Sequence, residues 1–240
     1  MTTEPLVTVI VPVFNGARFL PAAIASIAKQ ARGRVRAILI DDGSTDDSPA
    51  VIAAHAAAHE WIETIRHPAN LGVAAARNAG ISRVATPYIA FLDQDDTWAE
   101  NKLDRQFAVL AAEPELDFVI ARQSFHLEAG IARPSWAKDR FFQGPQPGYV
   151  FGTMLGHRHC FERAGLLREN LLYGNDDVDW FGRVRLSGLR YRMLDEVLLA
   201  RTLHDANHSR LTAMGNPELL RVMRDAIRQR RGNAGSEGRG

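Results

Sequence analysis

The chain has a single cysteine in 240 residues, Cys160. One cysteine excludes an internal disulfide framework and is typical of proteins kept in a reducing compartment. The segment His157-Arg-His-Cys160 raises the alternative of a metal site, but structural zinc sites usually recruit further cysteines or spaced histidines. We therefore expect Cys160 to be a small buried apolar residue.

Long apolar runs and an excess of one charge are also missing. The longest apolar run, around Val7 to Val13, has the length of a strand, whereas a membrane-spanning helix needs about 20 residues. No apolar segment follows a basic start, so the sequence predicts no signal peptide and a cytoplasmic protein. The formal net charge of +1 gives no electrostatic case for nucleic acid binding. The basic stretch Arg221 to Arg231 leaves open peripheral contact with the inner face of a membrane, or it is a solvated helix face.

What the chain does contain is an alternation of strand and helix patterns. Hydrophobic residues make up 46% of it, which is enough for a substantial core. Strands separated by helices of this size predict an α/β fold with a mostly parallel sheet, right-handed crossovers and flanking helices. The predicted strands are 7–13, 36–40, 62–66, 88–92 and 116–121, and helices begin near Leu20, at Ser48 as N-cap before Pro49, at Val73 and at Leu103.

The pattern changes after residue 121. Segment 129–152 is rich in glycine, proline and aromatic residues, and long loops inside compact domains are often functional. A helix over 176–186 and a strand over 191–200 follow. The sequence therefore predicts three parts, 1–121, 122–214 and 215–240. The aromatic residues of segment 129–152 are Trp136, Phe141, Phe142 and Tyr149. The last part, 215–240, is predicted to contain a short helix over 219–227 and a disordered tail over 232–240.

The most informative stretch is Tyr88-Ile-Ala-Phe-Leu-Asp-Gln-Asp-Asp96. It predicts a buried strand whose carboxyl end carries three acids, and open α/β sheets bind their ligands at that end. Asp93, Asp95 and Asp96 repel one another unless a cation lies among them, and such oxygen ligands suit Mg²⁺ or Mn²⁺. The alternative is a helix cap, since Asp96 or Thr97 could begin the helix that follows.

Polar clusters also follow the first two strands. In Pro12-Val-Phe-Asn15, Pro12 lacks an amide donor and is expected to end the strand, whereas Phe14 could stack on a planar base. Proline and asparagine are also ordinary turn residues. In the segment 41–47, an aspartate could accept a hydrogen bond from N3–H of uracil. An Asx turn with helix capping is the alternative, and it explains the doublet Asp41-Asp42 less well.

A third cluster runs from Asn70 to Asn78, where Gly72 opens a helix of small residues. Arg77 and Asn78 could face a ligand. Small residues at the start of a helix equally favour close packing on the sheet, and both interpretations stay open.

A fourth cluster, Gly174-Asn-Asp-Asp-Val-Asp-Trp180, puts three aspartates in the first turn of a helix. The helix macrodipole favours negative charge there and accounts for one or two of them. The functional alternative is that one is a general base, because neighbouring carboxylates would raise its pKa and improve it as a proton acceptor. His204 follows a late strand and could add a nitrogen ligand to a metal, although a lone surface histidine is the commoner case.

Together these residues resemble the family 2 glycosyltransferases of the GT-A fold. The similarity runs from about Leu6 to Ser209, and it is specific because individually loose motifs follow one another in the family's order. The matching segments are Val9-Ile-Val-Pro-Val-Phe-Asn15, Ile40-Asp-Asp-Gly-Ser-Thr45, Asn70-Leu-Gly72 with Ala76-Arg-Asn-Ala-Gly80, Phe91-Leu-Asp-Gln-Asp-Asp96, the acidic segment 174–180 and His204 to Ser209.

The resemblance implies a metal-dependent, inverting transfer of one hexose from a nucleotide sugar, by default a UDP-sugar, to an acceptor hydroxyl. The acceptor stays open among a glycan, a lipid-linked sugar, a peptide and a small molecule. Residues 1–121 would bind the donor, and 122–214 would bind the acceptor and supply the base. By position, the donor would contact Pro12, Val13, Phe14, Asn15, Asp41, Asp42, Asn70, Gly72, Arg77, Asn78, Asp93 and Gln94, and the metal, Mn²⁺ or Mg²⁺, would bind Asp93, Asp95 and His204.

The catalytic base implied by the resemblance is Asp177. The family's acidic pair has a glutamate that this chain lacks, so Asp176 is a second candidate. Two rival functions remain. A nucleotidyltransferase would need a glycine-rich phosphate loop that does not follow the first strand here, and a non-catalytic nucleotide-sugar-binding protein is favoured only by the replaced glutamate.

Overall fold

The computed structural model describes residues 6–30, 34–133, 139, 142–171 and 176–205. Within these ranges, eight strands and six helices alternate, with one 3₁₀ turn at Phe151–Thr153. The strands are β1 Val7–Val13, β2 Val35–Asp41, β3 Ile62–Arg66, β4 Tyr88–Phe91, β5 Asp96–Trp98, β6 Phe118–Leu127, β7 Leu155–His157 and β8 Tyr191–Leu203, and the helices are α1 Leu20–Ala28, α2 Ser48–Ala58, α3 Val73–Ile81, α4 Lys102–Ala112, α5 His159–Ala164 and α6 Asp176–Ser187.

The eight strands form one sheet in the order β3-β2-β1-β4-β7-β6-β8-β5. β3, β2, β1 and β4 are parallel, and β6 and β8 run in the same direction because β7 is antiparallel to both β4 and β6. Only β5 and β7 run the other way among the described strands. The predicted mostly parallel sheet is confirmed, and the carboxyl ends of six strands meet at one edge.

Hydrophobic cores cover both faces of this sheet. In β1, Val7, Val9, Val11 and Val13 pack on the face that also receives α1, whereas Ile10 packs on the opposite face. The strand reads as a continuous apolar run because both of its faces are buried. The predicted helical face of α1 is confirmed, since Leu20, Ile24 and Ile27 are all buried, and so is the burial of Cys160.

Pro12 does not end β1, contrary to the sequence prediction, because the strand continues in register through Val13. The backbone groups of Ile10 face β4, where its carbonyl accepts a hydrogen bond from the Leu92 amide. Pro12 lies two residues further and points to the same side, beyond the last β1–β4 pair of Ile10 and Phe91. Its missing amide gives the β1–β4 ladder no further donor beyond Ile10, whereas the pairing with β2 on the other edge of the strand continues through Val13.

The cap predicted at Asp96 or Thr97 is also wrong. Asp96 begins β5, a short strand that the sequence did not reveal, and α4 starts only after Asn101. Asp96 is buried because β5 pairs with β8, where its carboxylate accepts a hydrogen bond from the Thr202 amide at 3.1 Å. Ser48 is likewise the first residue of α2 rather than its N-cap.

Several sequence predictions fall outside the described residues: the helix over 219–227, the tail, the basic stretch Arg221 to Arg231, the aromatic residues Trp136 and Phe141, and the end of the segment 204–209. In the part of the chain that the structure describes, no helix combines the length and the apolar character needed to cross a membrane. The division into three parts stays a prediction.

Candidate active site

Charged side chains collect at the edge where the six parallel strands end. Asp93 follows β4, Glu128 follows β6 and His204 follows β8. The antiparallel strand β5 begins at this edge with Asp96, and the Phe151–Thr153 turn leads into antiparallel β7 here. The sequence prediction of a site at the carboxyl ends of the strands matches this arrangement.

Arg77 lies at the centre of the acidic residues. Its side chain, on α3, is buried, and its two terminal nitrogens contact Asp93 Oδ1 at 2.5 Å and Asp176 Oδ2 at 2.6 Å. Asp177 Oδ1 lies 3.9 Å away, and the guanidinium faces the Phe151 ring at 5.2 Å. Burial alone would lower the pKa of Arg77, yet the three carboxylates raise it well above its usual value. One fixed cation thus joins the acid after β4 to the acids that open α6.

Asp177 combines partial access with a raised pKa. Burial raises the pKa of its carboxyl from 3.8 to about 7, Arg77 opposes the rise, and Asp176 and Asp93 add to it. Its Oδ1 accepts a hydrogen bond from the Phe151 amide at 3.0 Å, and its side chain is 18% exposed. A carboxyl group with a pKa near neutrality suits general base catalysis.

The other two acids of the first turn of α6 are held in ion pairs. Asp176 is 1% exposed and bound to Arg77, and its second oxygen has no hydrogen-bond partner among the described residues. Asp179 accepts hydrogen bonds from Arg168 at 3.0 Å and Arg183 at 2.9 Å. Asp177 is therefore better placed than Asp176 to meet a substrate, and the assignment of either as base stays a prediction. Gly174 and Asn175 lie outside the described residues.

The residues predicted to bind a metal do not all converge. Asp93 turns to Arg77, whereas Asp95 Oδ2 lies 2.9 Å from His204 Nε2. His204 also forms a group with Glu128 and Asp205, whose candidate ligand atoms all lie within 4.8 Å of one another. Carboxylate oxygens with one imidazole form a donor set that suits Mn²⁺. The residues around His204 therefore fit a divalent cation, and Asp93 as a direct ligand stays a prediction.

Glu128 and Arg201 are charged residues of this edge that the sequence did not identify. Arg18 contacts Glu128 at 3.2 Å and Asp205 at 2.9 Å, which balances part of their charge. Arg201 contacts Asp96 at 3.3 Å; burial would lower its pKa, but Asp96, Asp93, Asp95 and Asp177 raise it. Only the pairing of β5 with β8 brings Arg201 opposite Asp96, so no local pattern could have revealed it.

On the donor side, the Asp42 carboxylate organises the loop that precedes α3. It accepts hydrogen bonds from the Leu71 amide at 3.0 Å and the Gly72 amide at 2.8 Å, and it contacts His67 Nδ1 at 2.7 Å. Asp42 is 3% exposed. The structure therefore brings Asp42 together with the Asn70–Gly72 segment, as the prediction of a shared donor site requires.

Asp41 and Asn15 fix the neighbouring turns. Asp41 Oδ1 accepts a hydrogen bond from the Ser44 amide at 2.9 Å. The Asn15 amide donates to Ser44 Oγ at 3.0 Å, and Asn15 Oδ1 accepts from the Thr45 amide at 2.8 Å. Asn15 has a φ of 51°, which asparagine tolerates better than most residues. These contacts correspond to the turn role that was one of the two interpretations of Asn15.

Gln94 joins the loop after β4 to the loop after β1. Its side-chain oxygen accepts a hydrogen bond from the Phe14 amide at 2.9 Å, and its nitrogen donates to the Phe14 carbonyl at 3.0 Å. Phe14 itself is half-buried, whereas Pro12 and Val13 are buried within β1. Phe14 is therefore the aromatic group of this segment that a planar base could reach.

The third sequence cluster divides into two sides. Gly72, at the start of α3, has a φ of 95°, a conformation that favours glycine, and Asn70 Oδ1 accepts a hydrogen bond from its amide at 3.0 Å. Asn78, by contrast, donates to the Leu167 carbonyl at 2.9 Å and to Glu169, and accepts from the Leu167 amide. The structure does not bring Asn78 to the acids with Arg77, and its contacts favour the packing interpretation.

Comparison with known proteins gives a family match and structural neighbours. The model described as Glycosyl transferase family 2 matches residues 8–170, well over half of the chain. An uncharacterized glycosyltransferase of Haemophilus influenzae is 40% identical over 102 residues, which cover 42% of this chain and 41% of that protein. The chain spans between 29% and 66% of the length of the curated relatives to which it is similar.

Two solved structures share the fold. TarS of Staphylococcus aureus, in complex with UDP-GlcNAc, superposes with a TM-score of 0.72 at 19% identity over 92% of this chain and 65% of that one. The mannosyltransferase PcManGT of Pyrobaculum calidifontis, in complex with GDP-Man and Mn²⁺, superposes with a TM-score of 0.71 at 21% identity over 95% of this chain and 65% of that one. These TM-scores confirm the GT-A fold that the sequence predicted.

The position of Arg77 predicts a large effect on stability. Arg77→Met leaves Asp93 and the buried Asp176 without their cation, so we expect the free energy of unfolding to fall by about 3–5 kcal/mol. Arg83→Met is the control, because the Arg83–Glu63 contact is exposed and long at 3.9 Å, and it should cost less than about 1 kcal/mol. Urea unfolding followed by circular dichroism measures both, and equal effects would contradict the role of Arg77.

Proposed function

The chain belongs to glycosyl transferase family 2, and we propose that it transfers one hexose from a UDP-sugar to an acceptor hydroxyl with inversion of the anomeric centre. Among the solved neighbours, TarS binds UDP-GlcNAc and PcManGT binds GDP-Man, which supports a nucleotide-sugar donor. The observation that carries the proposal is Asp177, a carboxyl group with a pKa near 7 at the edge where the strands end.

Asp177 acts as the general base in this proposal. It takes the proton from the acceptor hydroxyl as that oxygen attacks the anomeric carbon, and the sugar–phosphate bond breaks on the opposite face. One displacement of this kind inverts the configuration. Asp176 serves instead to hold Arg77, because it is too buried to meet an acceptor.

The departing nucleoside diphosphate gains negative charge as the bond breaks. Preorganised cations that face this charge lower the barrier. Arg201 is 24% exposed and lies among the acids of the site, where it can approach the diphosphate. A Mn²⁺ or Mg²⁺ ion held by Asp95 and His204, with Asp93 as the proposed third ligand, would supply further charge neutralisation when bound.

The proposed donor pocket lies beside β1, β2 and α3. Phe14 offers a stacking face, and Asp42 shapes the base pocket through the Leu71–Gly72 backbone, with Asp41 beside it. Arg77 and Gln94 contribute indirectly, by fixing Asp93 and Phe14. Residues 1–121 thus form the donor half, and the protein is proposed to work in the cytoplasm, with contact to the inner face of the membrane as an additional proposal.

Residues 122–214 supply the acceptor half in this proposal. A groove of about 470 Å³ lies beside the second half of β6, where Phe125, Leu127 and Phe142 offer apolar faces and Ser124 and His126 offer polar groups. The Arg201 guanidinium faces the Phe125 ring at 5.6 Å, so the groove adjoins the acids of the site. Aromatic and polar groups of this kind suit a sugar ring in the acceptor.

The role of Asp177 is tested by Asp177→Asn. Transfer should fall by roughly 10²–10⁴-fold, because the proton acceptor is lost while the donor contacts remain. Isothermal titration with UDP should give an unchanged affinity. Asp195→Asn, at an exposed surface position, is the control and should leave both values unchanged. Lost UDP binding with retained transfer would contradict the assignment, and release of pyrophosphate instead of UDP would indicate a nucleotidyltransferase.

The pKa of Asp177 predicts the pH dependence. Its raised pKa means that the base is protonated in acid, so kcat/KM should rise with pH through about 7. The same group destabilises the fold when it ionises: its contribution to stability is present at low pH and is lost as the pH rises through about 7. Unfolding measured from pH 5 to 8 should therefore show Asp177→Asn gaining stability relative to the wild type as the pH rises. A constant difference would contradict the raised pKa.

The metal ligands are tested through the affinity for Mn²⁺. Asp95→Asn and His204→Ala should each raise the Mn²⁺ concentration for half-maximal activity by at least about 10-fold. Direct titration of Mn²⁺ in the presence of UDP should show the same loss of affinity. Asp93→Asn and Glu128→Gln, measured side by side, identify which carboxylate is the third ligand. Unchanged affinity in both the Asp95 and His204 variants would contradict the site.

A further inference from the structure

Lys102 is the first residue of α4 and is fully buried, which is rare for lysine. Its Nζ donates to Gln106 Oε1 at 2.7 Å and to the Met154 carbonyl at 3.2 Å, and it lies 4.2 Å from the centre of the Trp98 ring. Within the described ranges, it has no carboxylate partner. Burial lowers the pKa of Lys102 well below its usual value. A buried amine without a counter-ion is costly and calls for a structural reason.

Three neighbouring side chains hold three consecutive carbonyl groups. Trp98 Nε1 donates to the Gly152 carbonyl at 2.8 Å, Gln106 Nε2 donates to the Thr153 carbonyl at 2.7 Å, and Lys102 donates to the Met154 carbonyl. Lys102 and Gln106 are four residues apart on α4 and therefore share one face of it. We call these three side chains, Trp98, Lys102 and Gln106, the carbonyl clamp, and the backbone of Phe151 to Met154 the 151–154 turn.

The other side of the 151–154 turn faces the candidate base. The Phe151 amide donates to Asp177 Oδ1 at 3.0 Å, and the Phe151 ring packs on Trp180 and faces Arg77. The amide that holds Asp177 and the first carbonyl that the clamp holds belong to consecutive residues, Phe151 and Gly152. A displacement of the turn would therefore move the hydrogen-bond donor of the base.

We propose that the carbonyl clamp positions the catalytic base Asp177 by fixing the 151–154 turn whose Phe151 amide orients its carboxylate. This inference rests on the proposed role of Asp177. The clamp residues do not contact Asp177 themselves, so they are positioning residues. Trp98 lies in β5, and Lys102 and Gln106 lie in α4. In this proposal the clamp therefore ties the position of the Asp177 carboxylate to these two elements.

The charged groups that face Asp177 allow the clamp to be separated from other effects. Arg77 faces it from α3, Asp93 from the loop after β4 and Arg201 from β8, and Asp176 precedes it on α6. None of them is a clamp residue. Changes at Trp98 or Lys102 therefore leave this charge environment in place and act on Asp177 through the Phe151 amide, whose hydrogen bond lowers the pKa of the base.

The test uses Lys102→Met and Trp98→Phe in the full chain. Each variant removes one clamp donor and keeps an apolar side chain of similar shape. We expect kcat to fall about 10- to 100-fold with the KM for the UDP-sugar unchanged, because a small misplacement of a catalytic group has effects of this size. On the acidic side of the pH profile (the acid limb), the pH at which kcat reaches half of its maximum should rise by roughly 0.5, because a weakened hydrogen bond stabilises the ionised base less.

Thr8→Val is the matched control. Thr8 is fully buried near the start of β1, and its hydroxyl bonds to Thr86 at 2.8 Å, so the variant loses a buried hydrogen bond far along the sheet from the site. It should lower stability without moving the acid limb or kcat. Unfolding experiments on all three variants measure how much stability each one loses. If Lys102→Met does not fold, Trp98→Phe alone is compared with the control.

The outcomes separate this inference from the proposed function. If both clamp variants keep the wild-type kcat and acid limb while Asp177→Asn loses transfer, the clamp inference is overturned, whereas the assignment of Asp177 as the base stands. If the clamp variants and Thr8→Val all lose activity in proportion to their loss of stability, the role of the clamp is structural and the inference is also overturned. If Asp177→Asn retains transfer, Asp177 is not the base, and both its proposed role and the clamp inference that rests on it are wrong.

Discussion

The ion pairs of Arg77 are the interaction on which the rest of the site depends. Its guanidinium is buried between Asp93, at the end of β4, and Asp176, at the start of α6. Without this cation, three carboxylates from two distant parts of the chain would repel one another in a region of low dielectric. With it, Asp93, which is proposed to contact the donor, and the acid proposed as base keep a fixed separation. Burial raises the pKa of Asp177, and Arg77 offsets this rise only in part, because its charge is shared by three carboxylates and its two short contacts are to the others.

This arrangement also assigns different roles to acids that look alike in the sequence. Asp176, Asp177 and Asp179 all lie in the first turn of α6, where the macrodipole gives each a similar small stabilisation. Their partners separate them. Asp176 binds Arg77, Asp179 binds Arg168 and Arg183, and Asp177 accepts one backbone hydrogen bond and stays partly accessible. Proton transfer needs access and a suitable pKa together, and only Asp177 in this turn has both.

The sequence predicted the parts of the fold that depend on local patterns. The sequence pattern predicted β1 and β3 to the residue and β2 and β4 to within one residue at each end. The strands β1, β2 and β4 were recognisable because buried parallel strands are continuous in hydrophobicity. The short antiparallel strands β5 and β7 were missed, since three residues carry no periodic signal and both form only by pairing with distant strands. The error at Asp96 has the same cause: its polar character looked like a helix cap until β8 supplied its partners.

The candidate site shows the same limit in chemical terms. The acidic clusters were visible because each follows an apolar segment, and the shared direction of the strands brings them to one edge. The ion pairs that hold them were not visible: Arg77 was identified only as a possible ligand contact and Arg201 not at all, because both belong to elements remote in sequence from most of their acidic partners. Nor could a pattern show that Asn78 faces Leu167 instead of the site. A sequence thus indicates where charge collects, whereas the counter-charges that set each pKa follow from how the elements pack. In this chain, that packing separates four acidic residues of similar appearance, Asp93, Asp176, Asp177 and Asp179, into a candidate metal ligand, two structural partners and a proposed base.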